Sequence, residues 1–502
     1  MLALSLLKNL GKISLKIYQH SLSQPEVFQA KKWKLIFDSI SKSKFWSGRI
    51  FDDLKDNPIT TYEDYEEIIK KDYDFNVSSL NNEEIQYWIK SGGTTGESKF
   101  FPMTSTYNKD CKSIVKPFIG SLYSRYEKLG RKKILYFVST RDSSADFSTG
   151  INSGYMSTFT YDSLPKLIQN LYAIPSEILE DADVYEQNYL TYVLSQDLSA
   201  MFAVTPLSYI RLIQDIHSKF DDVLHTLETE KSKFKISSKR LDYLKTLSLD
   251  SDFLLTQLWP SLEFLVCWQS SLCQHQLVSI QKHLKGLDLV DAIYSASEGW
   301  INCPIYHNEV GGPISLESGI FEFIEQGQNS KEEILKPWEL EIGKNYDLLI
   351  TNSMGLVRYR INDLVRCFGF VEKTPKIYFE SKSNQLISLG LVTLSSKELE
   401  ESLLKSCKTI KQSWRFATSK GGDGLVLYVL EQDSEMKYLA SEIDKNLQAI
   451  SSGYQTYRAN GYIKNIVVEI VSEKNCFWMK DRHAQSKPSL LLPAQSIGVS
   501  HE

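Results

Sequence analysis

The sequence lacks the marks of several large protein classes. No apolar run approaches the roughly 20 residues a membrane-spanning helix needs, so no membrane span is expected. No block of basic residues stands out: 57 Lys and Arg face 62 Asp and Glu, for a formal net charge of −5. That balance argues against nucleic acid as the main partner. The seven cysteines (Cys111, Cys267, Cys273, Cys303, Cys367, Cys407 and Cys476) are scattered, odd in number and without CxxC spacing. Zinc-site and disulfide frameworks are therefore disfavoured, and a reduced, cytoplasmic location is expected. His217, His225, His275, His283 and His307 form no Ser-His-Asp or Cys-His pattern. Internal repeats and low-complexity tracts are also missing. Met1 to His20 is mildly amphipathic, with Lys8, Lys12 and Lys16, and has no clear cleavage signal, so no secretory leader is expected.

What is present is an ordinary globular balance. The chain has 502 residues, 42% hydrophobic and 24% charged, enough for about two to four domains. Helical spacing is read over Gln29 to Phe45 and over Asn108 to Lys128. Buried-type strands are read at Ile134 to Ser139, Met201 to Val204, Leu262 to Trp268 and Ala292 to Ser295. Strand and helix alternate, which predicts an α/β fold with mainly parallel sheets flanked by helices. From about residue 382 the texture changes. A helix from Ser395 to Cys407 opens on a Ser-Ser-Lys-Glu capping pattern, and strands follow at Gly424 to Leu430 and Ile466 to Ile470. This predicts a large domain over 1–380 and a small α+β domain over 381–502.

The chain is organised around one loop, Ser91-Gly92-Gly93-Thr94-Thr95-Gly96-Glu97-Ser98-Lys99. It follows the alternating Ile85, Tyr87 and Ile89. Glycines allow a tight turn and close approach of backbone to ligand. Successive N–H groups, the hydroxyls of Ser91, Thr94, Thr95 and Ser98, and the charge of Lys99 make a phosphate cradle. No Gly-Lys-Ser/Thr closes it, so it is not a P-loop. Taken alone, it equally describes a polar surface loop.

Three further clusters follow. Tyr294-Ser295-Ala296-Ser297-Glu298 sits just after a strand, where ligand crevices form in parallel sheets. A tyrosine ring can stack on a base, Ser297 can bond phosphate, and Glu298 can hold Mg²⁺. Gly355-Leu356-Val357-Arg358-Tyr359-Arg360-Ile361-Asn362-Asp363 offers Asp363 to ribose hydroxyls and Arg358 to phosphate. Gln485-Ser486-Lys487-Pro488 offers a lysine near the end of the chain. Singly, these read as a helix cap, a charged hairpin and a solvated tail.

In this order the four stretches resemble the adenylate-forming superfamily of acyl-CoA synthetases, adenylation domains and luciferases. Within it they are most similar to the Gretchen Hagen (auxin-responsive promoter) family of acyl acid–amido synthetases. The loop at 91–99 matches that family's phosphate motif, and YSASE its Tyr-Ala-Ser-Ser-Glu motif. GLVRYRINDLV matches its Gly-Leu-Tyr-Arg-Tyr-Arg-Val-Gly-Asp-Val-Val motif, and Gln485 to Pro488 its terminal segment. Four positions depart: Asn362 stands where the family has Gly, Lys382 where an Arg begins the hinge, Asn384 where an Asp is common in the wider superfamily, and Ser489 where an Arg is usual. Asn362 is expected in a left-handed conformation, which Asn tolerates.

The resemblance implies an ATP-dependent ligase that adenylates a small carboxylic acid and passes the acyl group to an amine, with Mg²⁺ as cofactor. Ser91, Gly92, Thr94, Thr95, Gly96, Ser98, Tyr294, Ser297, Asp363, Arg358 and Lys382 would bind nucleotide. Lys99, Glu298 and Lys487 would be catalytic, with Glu298 also the metal ligand. Phe137, Tyr155, Val204 and Trp268 are acyl-pocket candidates by their position after strands. A monomer is expected. A thioester-forming synthetase and a nucleotide binder without turnover are the alternative readings.

Overall fold

A computed structural model describes residues 2–91, 99–126, 128–141, 153–327, 333–389, 392–407, 410–411, 413–419, 422–431, 433, 438–472 and 490–492. Its centre is a parallel sheet in the order Lys133–Tyr136, Leu198–Phe202, Phe264–Cys267, Asp288–Asp291. Parallel strands are covered on both faces, so they read as unbroken apolar runs. Phe264–Cys267 is buried at every position. The helix Leu207–Thr229 lies between the second and third strands in sequence. It turns Leu212, Ile213, Ile216, Phe220, Val223 and Leu227 inward at helical spacing.

The expected α/β fold with a parallel sheet and flanking helices is present, and beside it stands a larger sheet that is antiparallel throughout. Its six strands run in the order Gly312–Pro313, Thr374–Lys382, Tyr359–Val371, Asn345–Thr351, Ile320–Glu325, Ile334–Leu335. The connections explain why. Only Glu372 and Lys373 join Val371 to Thr374, and Glu372 takes a φ of 53°. A two-residue loop can join only antiparallel neighbours. Gly355 turns the chain before Tyr359 with a φ of 106°, and a Cβ there would meet the Leu80 carbonyl oxygen at 2.5 Å.

A third sheet places Ile85–Lys90 between Phe100–Thr104 and Ser153–Gly154. The strand Thr374–Lys382 continues through residue 380. Residues from Ile387 onward build a separate core with Leu394, Leu399, Phe416, Leu427 and Leu447. In this C-terminal part the capping box is formed: Ser395 Oγ accepts from Glu398 N, and Glu398 Oε2 accepts from Ser395 N at 2.7 Å. No helix of the described residues is long and apolar enough to cross a membrane.

Candidate active site

The hairpin of Ile85–Lys90 and Phe100–Thr104 sets the neck of the glycine-rich loop. Ser91 N donates to the Lys99 carbonyl at 2.8 Å, and Lys99 N donates to Ser91 Oγ at 3.0 Å. Both residues line a cavity of about 180 Å³. Gly92, Thr94, Thr95, Gly96 and Ser98 lie outside the described residues, as does Lys487. The Lys99 ammonium stands 4.6 Å from the ring centre of Tyr62, a cation–π contact that holds it at the neck.

Hairpin pairing places Asp363 opposite Lys382. The two form an ion pair, and Lys382 also donates to the Ile361 carbonyl at 3.3 Å. Asp363 is 3% exposed and accepts from the Tyr294 hydroxyl at 2.5 Å. Burial, then the adjacent Asp363, push the Tyr294 phenol well up, so it stays a donor. For Lys382 burial works against the charge, but Asp363 and Glu298 outweigh it and the pKa is raised. Lys382 therefore stays cationic through the neutral range. The stability it contributes is present below the ordinary lysine value and is lost only as pH climbs through the raised folded value.

Asn362 adopts a φ of 60°, as its place in the motif predicts, and its carbonyl accepts from Ser383 N at 2.9 Å. This left-handed residue turns Asp363 toward Tyr294. Asn362→Gly is expected to leave melting temperature and activity close to the parent. Asn362→Val, β-branched at positive φ, is expected to cost about 1–3 kcal/mol and to lower activity through Asp363. Thermal unfolding and a turnover assay on both variants check this.

Ser297 and Glu298 are fixed through their backbones. Ala296 and Gly299 close a tight turn, Tyr107 donates to the Ser297 carbonyl at 3.0 Å, and Asn352 Nδ2 donates to the Glu298 carbonyl at 2.6 Å. Ser91, Lys99, Tyr294, Ser297, Glu298, Asp363 and Lys382 thus share one cavity, with Trp268 on its wall. Trp268 Nε1 donates to the Ile293 carbonyl at 2.9 Å.

Other expected site residues do not reach it. Arg358 is a correction: its guanidinium is buried against Glu322, 2.9 Å away, and donates at 2.8 Å to the carbonyls of both Lys55 and Asn57. A guanidinium buried against Glu322 with four of its five N–H donors committed is not presented to phosphate. Phe137 does not line the cavity either, because its ring packs edge-on to Tyr209 in the helical core. Tyr155 caps the helix Met156–Asp162, and the Val204 carbonyl accepts from Trp268 N at 3.0 Å. Neither is among the lining residues.

Sequence reasoning missed part of the wall. Asp291 ends the last parallel strand and accepts N–H bonds from Gly311 at 2.6 Å, Gln269 at 3.0 Å and Ala292 at 3.1 Å. Burial pushes its carboxyl up to about 7, against the pull of those three bonds. It clamps three segments around the cavity. A buried strand ending in Asp was the available signal, but Asp288–Asp291 is short and acid-flanked. Ser396 and Glu400 reach the same cavity from the C-terminal part.

The chain is similar to known proteins in sequence and in fold. Residues 17–289 match the GH3 family N-terminal domain and residues 312–382 the GH3 family central domain. The chain is 25% identical over 378 residues to the probable indole-3-acetic acid-amido synthetase GH3.1 of Arabidopsis thaliana, covering 69% of this chain and 63% of that one. It is 23% identical over 452 residues to the jasmonoyl–L-amino acid synthetase GH3.5 of Oryza sativa subsp. japonica, covering 79% and 78%. Its fold is similar to that of the GH3.15 acyl acid amido synthetase, with a TM-score of 0.79 at 18% identity over 96% of this chain and 94% of that one. It is more distantly similar to a 2-hydroxyisobutyryl-CoA ligase, with a TM-score of 0.50 at 10% identity over 94% and 90%. The chain belongs to the GH3 family.

Proposed function

We propose that this chain is an ATP-dependent acyl acid–amido synthetase. It joins a small carboxylic acid to an amine, an amino acid being the acceptor class, through an acyl-adenylate. The observation that carries the reading is the meeting of the loop neck, Glu298 and the Tyr294–Asp363–Lys382 cluster at one cavity. The activity itself is the one its GH3 relatives carry by name.

The first step sets an anionic acid against a polyanion, so catalysis is mainly charge neutralisation and in-line positioning. Asp363 takes the ribose hydroxyls, and Tyr294 holds Asp363 while facing the base. Backbone and hydroxyl groups of Ser91, Gly92, Thr94, Thr95, Gly96 and Ser98 cradle the phosphates, with Ser297 beside them. Lys99 offsets their charge from the neck of the loop. Lys382 holds Asp363 in place through their ion pair. Lys487 would bridge acid and α-phosphate, from a small lid over residues 381–502 that turns on the larger part of the chain. Trp268 borders the acid.

Mg²⁺, implied by this chemistry, takes one or two carboxylates and completes its shell with phosphate oxygens and water. Glu298 at the cavity would supply such a carboxylate. When bound, the ion supplies charge between the α-phosphate and the leaving group.

The test is acid-dependent pyrophosphate release by the purified protein with ATP, Mg²⁺ and a panel of carboxylic acids. Hydroxylamine, amino acids and coenzyme A are then offered as acceptors. Amide formation with an amino acid is expected. Nucleotide binding without release under any acid would defeat the reading, and transfer to coenzyme A alone would replace it with thioester formation.

A further inference from the structure

The helix Ser396–Ser406 belongs to the C-terminal core, yet Ser396 and Glu400 line the cavity that holds Glu298 and Asp363. They stand one helical turn apart and so share a face. The Glu400 side chain is 12% exposed, and its Oε1 lies 3.1 Å from Nε2 of His275. His275 comes from the helix Leu272–Ile280, whose first residues, Leu272 and Cys273, form the adjoining wall. The pair therefore joins the two parts of the chain at the rim of the site.

Adenylation has no use for this carboxylate. ATP and the acid are both anions, and the two carboxylates that adenylation can use are already given to the ribose hydroxyls (Asp363) and the metal ion (Glu298), so a third carboxylate on this wall has neither task. Two participants arrive as cations: the metal ion, for which Glu298 already stands in the cavity, and the acceptor amine. Neighbouring lysines are committed elsewhere: Lys397 to Glu380, Lys405 to Glu401 and Lys382 to Asp363. We infer that Glu400 docks the ammonium group of the acceptor, with His275 holding the carboxylate in place. Glu400 is then a specificity-determining residue for the second half-reaction, and this rests on the amido synthetase reading above. It selects acceptors by charge: amino acids over neutral nucleophiles.

Glu400→Gln removes the charge at nearly constant shape. Hydroxylamine, largely uncharged at neutral pH, and an amino acid, protonated on nitrogen, are compared as acceptors in the same preparation. The KM for the amino acid relative to that for hydroxylamine is expected to rise about tenfold or more, the scale of one charge-assisted hydrogen bond. Glu400→Asp should recover part of that ratio, and His275→Gln should shift it less than Glu400→Gln. If Glu400→Gln does not fold, the Asp and His275 variants carry the same comparison. A ratio unchanged in the variants, or a loss shared equally by both acceptors, overturns the inference. Failure of the unsubstituted protein to release pyrophosphate would instead defeat the underlying reading.

Discussion

Asp363→Asn is expected to lower kcat/KM for ATP about a hundredfold while the protein still folds. The side chain keeps its shape, so the hairpin that presents it persists. What changes is charge. Asp363 accepts from Tyr294 and pairs with Lys382 in a pocket where it is 3% exposed. As an amide it offers one acceptor oxygen in place of two. If that oxygen keeps the Tyr294 hydroxyl, the NH₂ group faces the Lys382 ammonium, donor against donor. If it turns to Lys382, Tyr294 loses its acceptor. On the proposed function, either arrangement leaves the ribose hydroxyls without a carboxylate. Hydrogen bonds to a charged group contribute about 1.5–3 kcal/mol each, and a loss near 3 kcal/mol corresponds to about two orders of magnitude. Initial rates of pyrophosphate release against ATP concentration, with a melting curve on the same sample, check this. A variant with the parent kcat/KM would remove Asp363 from the nucleotide site.

The legible parts of this site were those whose chemistry is local. Ser395 and Glu398 form the capping box their spacing predicts, because both partners lie within one turn. Asn362 takes the left-handed conformation read from its place in the motif, because φ is set by that residue and its neighbours. Phe264–Cys267 was visible as a strand because both faces are buried. The antiparallel sheet was harder to read. Its longest strand, Tyr359–Val371, interrupts the apolar pattern with Arg360, Asn362 and Arg366. Arg360 is neutralised by Asp347 on the next strand, 2.6 Å away, a pairing that sequence spacing does not show. Glu400 was hidden for a similar reason. On its own helix it is one acid among several, and only the approach of His275 and the cavity wall distinguishes it.

Arg358 shows the same limit most sharply, and it carries the largest expected effect on stability. An arginine in a glycine-turned hairpin reads as exposed, but here its side chain is 6% exposed and that of Glu322 is 2% exposed. The partners are 36 residues apart, and the carbonyls of Lys55 and Asn57 lie about 300 residues away. Arg358→Met fills similar space without donors. Glu322 would keep Lys336, 2.6 Å away, but the two carbonyls would lose their only donors from Arg358. Removing one partner of a buried pair costs about 3–5 kcal/mol, a large share of the roughly 5–15 kcal/mol that holds a domain folded. A much lower melting temperature and poor soluble yield are expected. Arg358→Lys should fall between, because an ammonium keeps the charge but lacks the planar fork that serves a carboxylate and two carbonyls together. Adding Glu322→Met to Arg358→Met should recover part of the loss, since the buried carboxylate, left with Lys336 as its one remaining charged partner, is then gone. Arg358 immediately precedes the strand that carries Asp363, and it holds a φ of 47°. Activity of Arg358→Met at a permissive temperature should therefore fall as well, through displacement of Asp363 rather than loss of a phosphate contact. A melting temperature within about one degree of the parent would contradict the buried-pair account.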